Sequence, residues 1–216
     1  MKPKDLVSNI RQAYIKARNP IVDQSNIKRG TSRTISSITE DLVAEYVASK
    51  INKKFEVWVD PQIIVKDLKN SSGKKSLLFR PDISIFNISS KKIVKIFDIK
   101  MDLGYKRNEF IDLAKKRKNQ LKKIVNHTGS CSLRENERLY FDKNLLWDYI
   151  IISKGNMSKN QYEKIETYFN KNNLGALFSF VLNGHLNSYN YDYVPIINVR
   201  DFNKLNKELK ALAKRF

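Results

Sequence analysis

"RPDISIFNISSKKIVKIFDIKMDLGY", residues 80–105, holds two apolar runs of strand length, near 77–86 and 92–100, joined by the turn "NISSKK". Asp82 opens the first run, Asp98 lies near the end of the second, and Lys100 stands two places further on. Charges are costly to bury unless something pairs with them, so acids inside strand-like segments need a reason. Alternation along a strand puts Asp98 and Lys100 on one face and Phe97 and Ile99 on the other. Val94 and Ile96 make the second run apolar on both sides, as in a central strand. If the runs pair as an antiparallel hairpin, Asp82 comes beside Asp98 at one end of the sheet. Plainer readings exist: a turn-forming aspartate after Pro81, and a modest surface ion pair at a solvated strand end.

Working outward, residues 4–17 place Leu6, Ile10, Ala13 and Ala17 on one helical face. Residues 18–37, rich in turn formers and basic side chains, read as a loop or arm. "TEDLVAEYVASKI" (39–51) is a helix, and "KFEVWVDPQIIV" (54–65) a strand that Pro61 interrupts or places at an edge. "KDLKNSSGKK" (66–75) reads as a flexible loop. Residues 107–125 form a strongly basic amphipathic helix with Phe110, Leu113, Ala114, Leu121 and Ile124 inward. Beyond it come a buried strand (145–153), a helix (159–172), two strands, "GALFSFVLN" (175–183) and "YDYVPIINV" (191–199), and a closing helix (201–216). No repeat or low-complexity linker divides the chain. The pattern predicts one α/β domain over residues 1–216, with a central mixed β-sheet flanked by helices. Within it, 1–35 are an N-terminal helix and basic arm, 36–125 the motif region and 126–216 an α/β completion.

Composition bounds the partners. Of the 216 residues, 41 are Lys or Arg and 22 Asp or Glu, a formal net charge of +19. Such a field attracts polyanions, nucleic acid foremost. The lysine bias of an AT-rich genome is the other explanation, but that bias raises Glu alongside Lys, and here the acids lag. Cys131 stands alone, which excludes an internal disulfide framework and fits a reducing cytoplasm. The N-terminus has no apolar signal core, and the longest apolar run, "LGALFSFVL" (174–182), is too short to span a bilayer. A cytoplasmic protein without a membrane segment is expected. His127 and His185 lack zinc-site spacing, and the seven glycines never cluster into a phosphate-cradling loop.

One further acid belongs to the constellation. At 100° per residue, Glu40 shares a stripe with Val43, Ala44, Val47 and Ile51, the face that packs on a sheet. Two readings of Glu40 stand. Ser37-Ile-Thr-Glu40 fits the capping box, in which the glutamate satisfies a backbone N–H; alternatively, Glu40 is an acid aimed at the Asp82–Asp98 end of the sheet. Two carboxylates a few ångströms apart repel unless a cation sits between them. Oxygen-only ligation suits Mg²⁺, and a nearby lysine can orient the attacking water or neutralise charge developing on a phosphoryl group.

Pro81-Asp82 followed by Asp98-Ile99-Lys100 resembles the PD-(D/E)xK motif of the restriction-endonuclease-like nuclease superfamily. That superfamily places a glutamate on a helix ahead of the motif strands, with a pattern matched here by Glu40, Val43, Tyr46 and Val47. The resemblance covers residues 36 to about 125. It implies a restriction-endonuclease-like core and a Mg²⁺-dependent DNA endonuclease, with Mn²⁺ as a substitute metal. Catalysis would rest on Asp82, Asp98, Lys100 and Glu40, the three acids serving the metal. The small size and basic arm suggest a type II restriction endonuclease acting on double-stranded DNA as a homodimer. The alternatives are a Holliday-junction-resolving or repair nuclease of the same fold, and a non-cutting DNA-binding protein. Lys28, Arg29 and Arg33 in "SNIKRGTSRTISS" (25–37) and Lys106 and Arg107 are candidate nucleic-acid contacts.

Overall fold

The computed structural model describes residues 1–19, 21, 31, 33–70, 73–103, 109–155, 157–190 and 192–216. In chain order the elements are α1 (Pro3–Ala17), α2 (Ser36–Ala48), β1 (Phe55–Val59), β2 (Ile63–Asn70), β3 (Gly73–Phe79), β4 (Ile83–Asn87), β5 (Lys92–Lys100), α3 (Phe110–Ile124), β6 (Gly129–Cys131), β7 (Arg134–Phe141), β8 (Trp147–Ser153), α4 (Lys159–Asn172), β9 (Leu177–Val181) and α5 (Val199–Arg215).

The core sheet runs β1-β4-β5-β8-β9. The β1–β4 and β4–β5 pairs are antiparallel, whereas β5–β8 and β8–β9 are parallel. A parallel step needs a crossover connection, and α3 and α4 lie in the two crossovers. Helices α1, α2 and α5 pack on one face, where Leu6, Ile10, Val43, Val47, Phe202 and Leu205 meet Ile83, Ile85, Phe97 and Ile150. On the opposite face, Phe110, Ala114, Tyr162 and Phe169 of α3 and α4 meet Ile96, Tyr149 and Ile151. The protein is thus mixed α/β, with a central mixed sheet flanked by helices. Among the described residues no helix is long and apolar enough to cross a membrane.

β5 is the hub. Its first two residues, Lys92 and Ile93, also pair in parallel with Tyr140 and Phe141 of β7, which leads into a second layer ordered β7-β6-β2-β3. The β4–β5 pairing carries a bulge: Ile85 faces Lys95 but Phe86 faces Ile93, so Val94 is the extra residue on β5. Ile93 and Ile96 therefore belong to the α3/α4 core and Val94 to the other, although uninterrupted alternation puts Val94 and Ile96 on one face.

Three expectations are corrected. Of the stretch read as a loop over 66–75, residues 66–70 and 73–75 belong to β2 and β3, a hairpin anchored at its base by Ile63, Val65 and Phe79, all fully buried, and 71–72 lie outside the described residues. The run near 77–86 is broken at Pro81, whereas the strand expected over 54–65 is interrupted around Pro61 as its proline foretells, with Asp60 at a φ of 47°; in both, proline withholds a ladder donor. Residues 191–199 are not a strand: Pro195 lies among them, and a single bridge joins Ile197 to Val181. The β6–β7 hairpin, in the stretch between the basic helix and β8, was not anticipated. It is short and rich in charge, with few apolar positions to mark its alternation.

Lys95 sits deep on the α1/α2/α5 face, its ammonium paired with Asp148 of β8 and 2.7 Å from Glu208 Oε2 of α5. Burial alone would push this ammonium toward neutrality, but Asp148 and Glu208 override it and hold the charge. Removing one partner of a buried pair strands the other charge. Lys95→Met should therefore lower the unfolding free energy by about 3–5 kcal/mol in urea melts. Adding Asp148→Asn and Glu208→Gln should restore most of the loss.

Candidate active site

The β4–β5 register sets Ile83 opposite Phe97 and so carries Asp82 alongside Asp98. Asp82 Oδ2 accepts the backbone N–H of Ile99 at 2.5 Å, continuing the ladder with a side chain where Pro81 interrupts it. Asp98 is only 4% exposed, and the Lys100 ammonium donates to its Oδ1. Asp98 and Lys100 share the face covered by α3, as strand alternation requires. Lys100 opens onto a cleft of ≈ 430 Å³ walled by Asp102, Leu103, Glu109, Phe110 and Lys116.

The electrostatics of the pair are unusual. Burial, followed by a hydrogen bond and charge repulsion from Asp98, raises the Asp82 carboxyl from 3.8 to about 7. The Ile99 N–H and Lys100 offset this only in part. Two acids this close cannot both ionise at little cost unless a cation joins them.

Glu40 approaches from α2 and is half-buried. Its carboxyl is pushed up by burial first and then by Asp60 and Asp41, with Lys100 pulling it down and Asp98 pushing it up, so it lies within electrostatic reach of the site. The capping-box reading does not describe this helix. α2 starts at Ser36, its N-cap is Ile35, and no side chain caps it. Glu40 is then the fifth helical residue, beyond capping reach. Of the stripe it shares, Val43, Ala44 and Val47 are buried in the core and Ile51 is partly buried against it.

Several neighbours were not read from the sequence. Asp60 donates its backbone N–H to the carbonyl of Asp82 at 2.8 Å, and its carboxylate takes a bidentate contact from Arg80 at 2.7 and 2.6 Å. Tyr149 is paired with Asp98 across β5 and β8. Its buried hydroxyl has no hydrogen-bond partner among the described residues. His185 Nδ1 lies 3.5 Å from Asp102 Oδ2. A signal was present for Asp60, which precedes a proline as Arg80 does. None was present for Tyr149 or His185, whose placement depends on distant strand order.

Of the candidate nucleic-acid contacts, Lys28, Arg29, Lys106 and Arg107 lie outside the described residues. Arg33 is docked on the end of α1: its backbone N–H donates to Ala17 O at 3.0 Å and its guanidinium to Lys16 O at 3.1 Å. That contact satisfies carbonyls a helix C-terminus leaves open.

Among the described residues, no group of three or more His, Cys, Asp or Glu side chains is arranged to hold a metal ion. Asp82 and Asp98 remain a two-carboxylate, all-oxygen donor set. That set fits Mg²⁺, which binds through one or two carboxylates and keeps waters or phosphate oxygens in its other positions. Comparison with protein-family models, curated proteins and solved structures finds no match.

A raised acid pKa has a sign for stability. The fold favours protonated Asp82, so stability is full below about pH 4 and is lost as pH rises through about 7. In metal-free buffer, Asp82→Asn should melt at a higher temperature than the parent at pH 8 and at nearly the same temperature at pH 4. Calorimetry at the two pH values checks this, and equal melting at both would contradict the carboxyl-pair account.

Proposed function

We propose that this chain is a Mg²⁺-dependent DNA endonuclease with a restriction-endonuclease-like core, acting as a type II restriction enzyme. The observation that carries the reading is the meeting of Asp82, Asp98 and Lys100 at one end of the β4–β5 hairpin, in a chain of net charge +19. The half-buried Glu40 beside this group adds to it.

In this reading Asp82 and Asp98 hold the ion and Glu40 adds negative charge on the α2 side. A bound divalent ion supplies Lewis-acid polarisation of the scissile phosphate. Lys100, held by Asp98, orients the attacking water and offsets charge developing on the phosphoryl oxygens. Water adds to phosphorus as the bond to the 3′ oxygen breaks, and the ends are a 5′-phosphate and a 3′-hydroxyl. Cutting both strands at a two-fold site calls for a homodimer, since protein and site symmetry correspond.

Plasmid DNA with Mg²⁺ or Mn²⁺ should be cut to discrete fragments, with no cutting in EDTA and little in Ca²⁺. Cutting confined to four-way junctions would instead identify a junction-resolving nuclease, and tight binding without cutting a DNA-binding protein. Asp98→Asn and Lys100→Ala should each lower the cleavage rate by at least about 10²–10³-fold. Their duplex affinity in Ca²⁺ should stay near that of the parent, because phosphate contacts elsewhere dominate binding.

Glu40→Gln separates an electrostatic role from a purely structural one. The amide keeps the shape of the side chain but removes the charge that Asp98 and Lys100 feel. A folded variant with strongly reduced cleavage is expected. Near-normal cleavage would withdraw Glu40 from the site while leaving the other three residues in place.

A further inference from the structure

The carboxyl ends of the parallel strands β5, β8 and β9 open at one end of the sheet, the usual place for ligands in α/β folds. The site above uses the end of β5. After β8, the strand next to β5, lies a second cleft of ≈ 440 Å³ whose lining includes Lys154, Lys159, Tyr162, Glu163, Glu166 and Arg200. Its cations differ in their surroundings. Arg200 is paired with Asp201 and Glu166, and Lys159 faces Glu163 at 3.9 Å. Lys154 has no carboxylate within ion-pair distance among the described residues; its ammonium lies 3.4 Å from the centre of the Tyr162 ring. Burial pulls its pKa below the usual lysine value; Asp201, Glu166 and Glu163 oppose this and Arg200 adds to it. The lysine is thus half-buried in the cleft and forms no ion pair among the described residues.

The two clefts are joined by the backbone. Ser153 N donates to Met101 O at 3.1 Å, and Lys154 N to Val181 O at 3.1 Å. Lys154 therefore sits one residue beyond a direct link to the residue after Lys100. Both side chains stand on the α3/α4 side of the sheet: Lys100 beside Phe110 of α3, Lys154 over Tyr162 of α4. Lys100 pairs with Ile151, so three residues at ~3.3 Å each put Lys154 on the order of 10 Å from it. Each DNA strand carries one phosphate per ~3.4 Å of helix axis, so a strand lying across this end of the sheet offers phosphates to both lysines. The loop is also held close: a Cβ on Gly155 would meet the carbonyl oxygen of Gly184 at 2.4 Å.

We propose that the Lys154 cleft is a second phosphate-binding subsite, which takes a phosphodiester of the bound DNA near the bond that is cut. This rests on the reading of the chain as a DNA-cutting enzyme. A phosphate there supplies the anion that Lys154 lacks, and the Tyr162 ring beneath keeps the ammonium pointed into the cleft.

The test is fluorescence anisotropy of a labelled duplex oligonucleotide in Ca²⁺, across a salt series, with the full-length protein. Lys154→Met should weaken binding several-fold and reduce the slope of log affinity against log salt by ~0.9, the value for one phosphate contact. Lys154→Arg should keep most of both. Lys210→Met, an exposed charge on α5, should leave the slope unchanged and so controls for net charge. In Mg²⁺, Lys154→Met should raise KM with little change in kcat. A Lys154→Met protein with parental melting temperature, affinity and slope would overturn the subsite alone. If Lys154→Met fails to fold, Lys154→Gln is read in the same way. A parent that binds duplex but never cuts overturns the catalytic reading while the slope still decides the subsite; a parent that does not bind duplex overturns both.

Discussion

The antiparallel register of β4 on β5 is the constraint on which the site depends. With Ile83 opposite Phe97, an aspartate just before the first strand and one near the end of the second must become neighbours. Their mutual repulsion is held by surrounding order. The Ile99 N–H fixes Asp82, the Lys100 ammonium fixes Asp98, and buried Ile83, Phe97 and Ile99 on the reverse face prevent the strands from slipping. A slip of one residue would turn that apolar set toward the α3 face and move the carboxylates to the other side. Register and acid placement are therefore a single property of this hairpin.

The sheet also keeps its charges apart. Lys95 with Asp148 and Glu208 lies under α5, and Asp98 with Lys100 lies under α3, although all but Glu208 come from adjacent strands. The first group is mostly buried and ion-paired, although burial still outweighs Lys95 and pushes the Asp148 carboxyl up. The second is left with a carboxyl held far from its ordinary value and an open cleft beside it. A perturbed titratable group next to a cleft is a candidate for a working site, although structural ion-pair networks perturb such groups too.

Much of this was legible in the chain. Alternation in residues 92–100 located β5 and put Asp98 and Lys100 on one face, and the helical stripe through Val43 and Val47 aimed Glu40 inward. What escaped has physical causes. The β2–β3 hairpin carries lysines, serines and a glycine, and polar composition hides strands. The strand ending before Pro81 comes from proline, which alternation does not report. Tyr149, His185 and Lys154 join the site neighbourhood only because β8 and β9 lie parallel beside β5. That is a property of topology, set by residues far away in the chain.

The bulge at Val94 has a consequence for how the hairpin tolerates change. It puts the turn end of the hairpin one residue out of phase with the site end. The pairing of Asn87 with Lys92 and the pairing of Ile83 with Phe97 are therefore set separately, each by its own apolar contacts. The extra residue acts as a buffer between two segments of the ladder. Lengthening or shortening the exposed turn after Asn87 changes the first segment, while the second stays locked by its buried side chains. The hairpin tip is free to vary in length while the acidic end keeps its geometry.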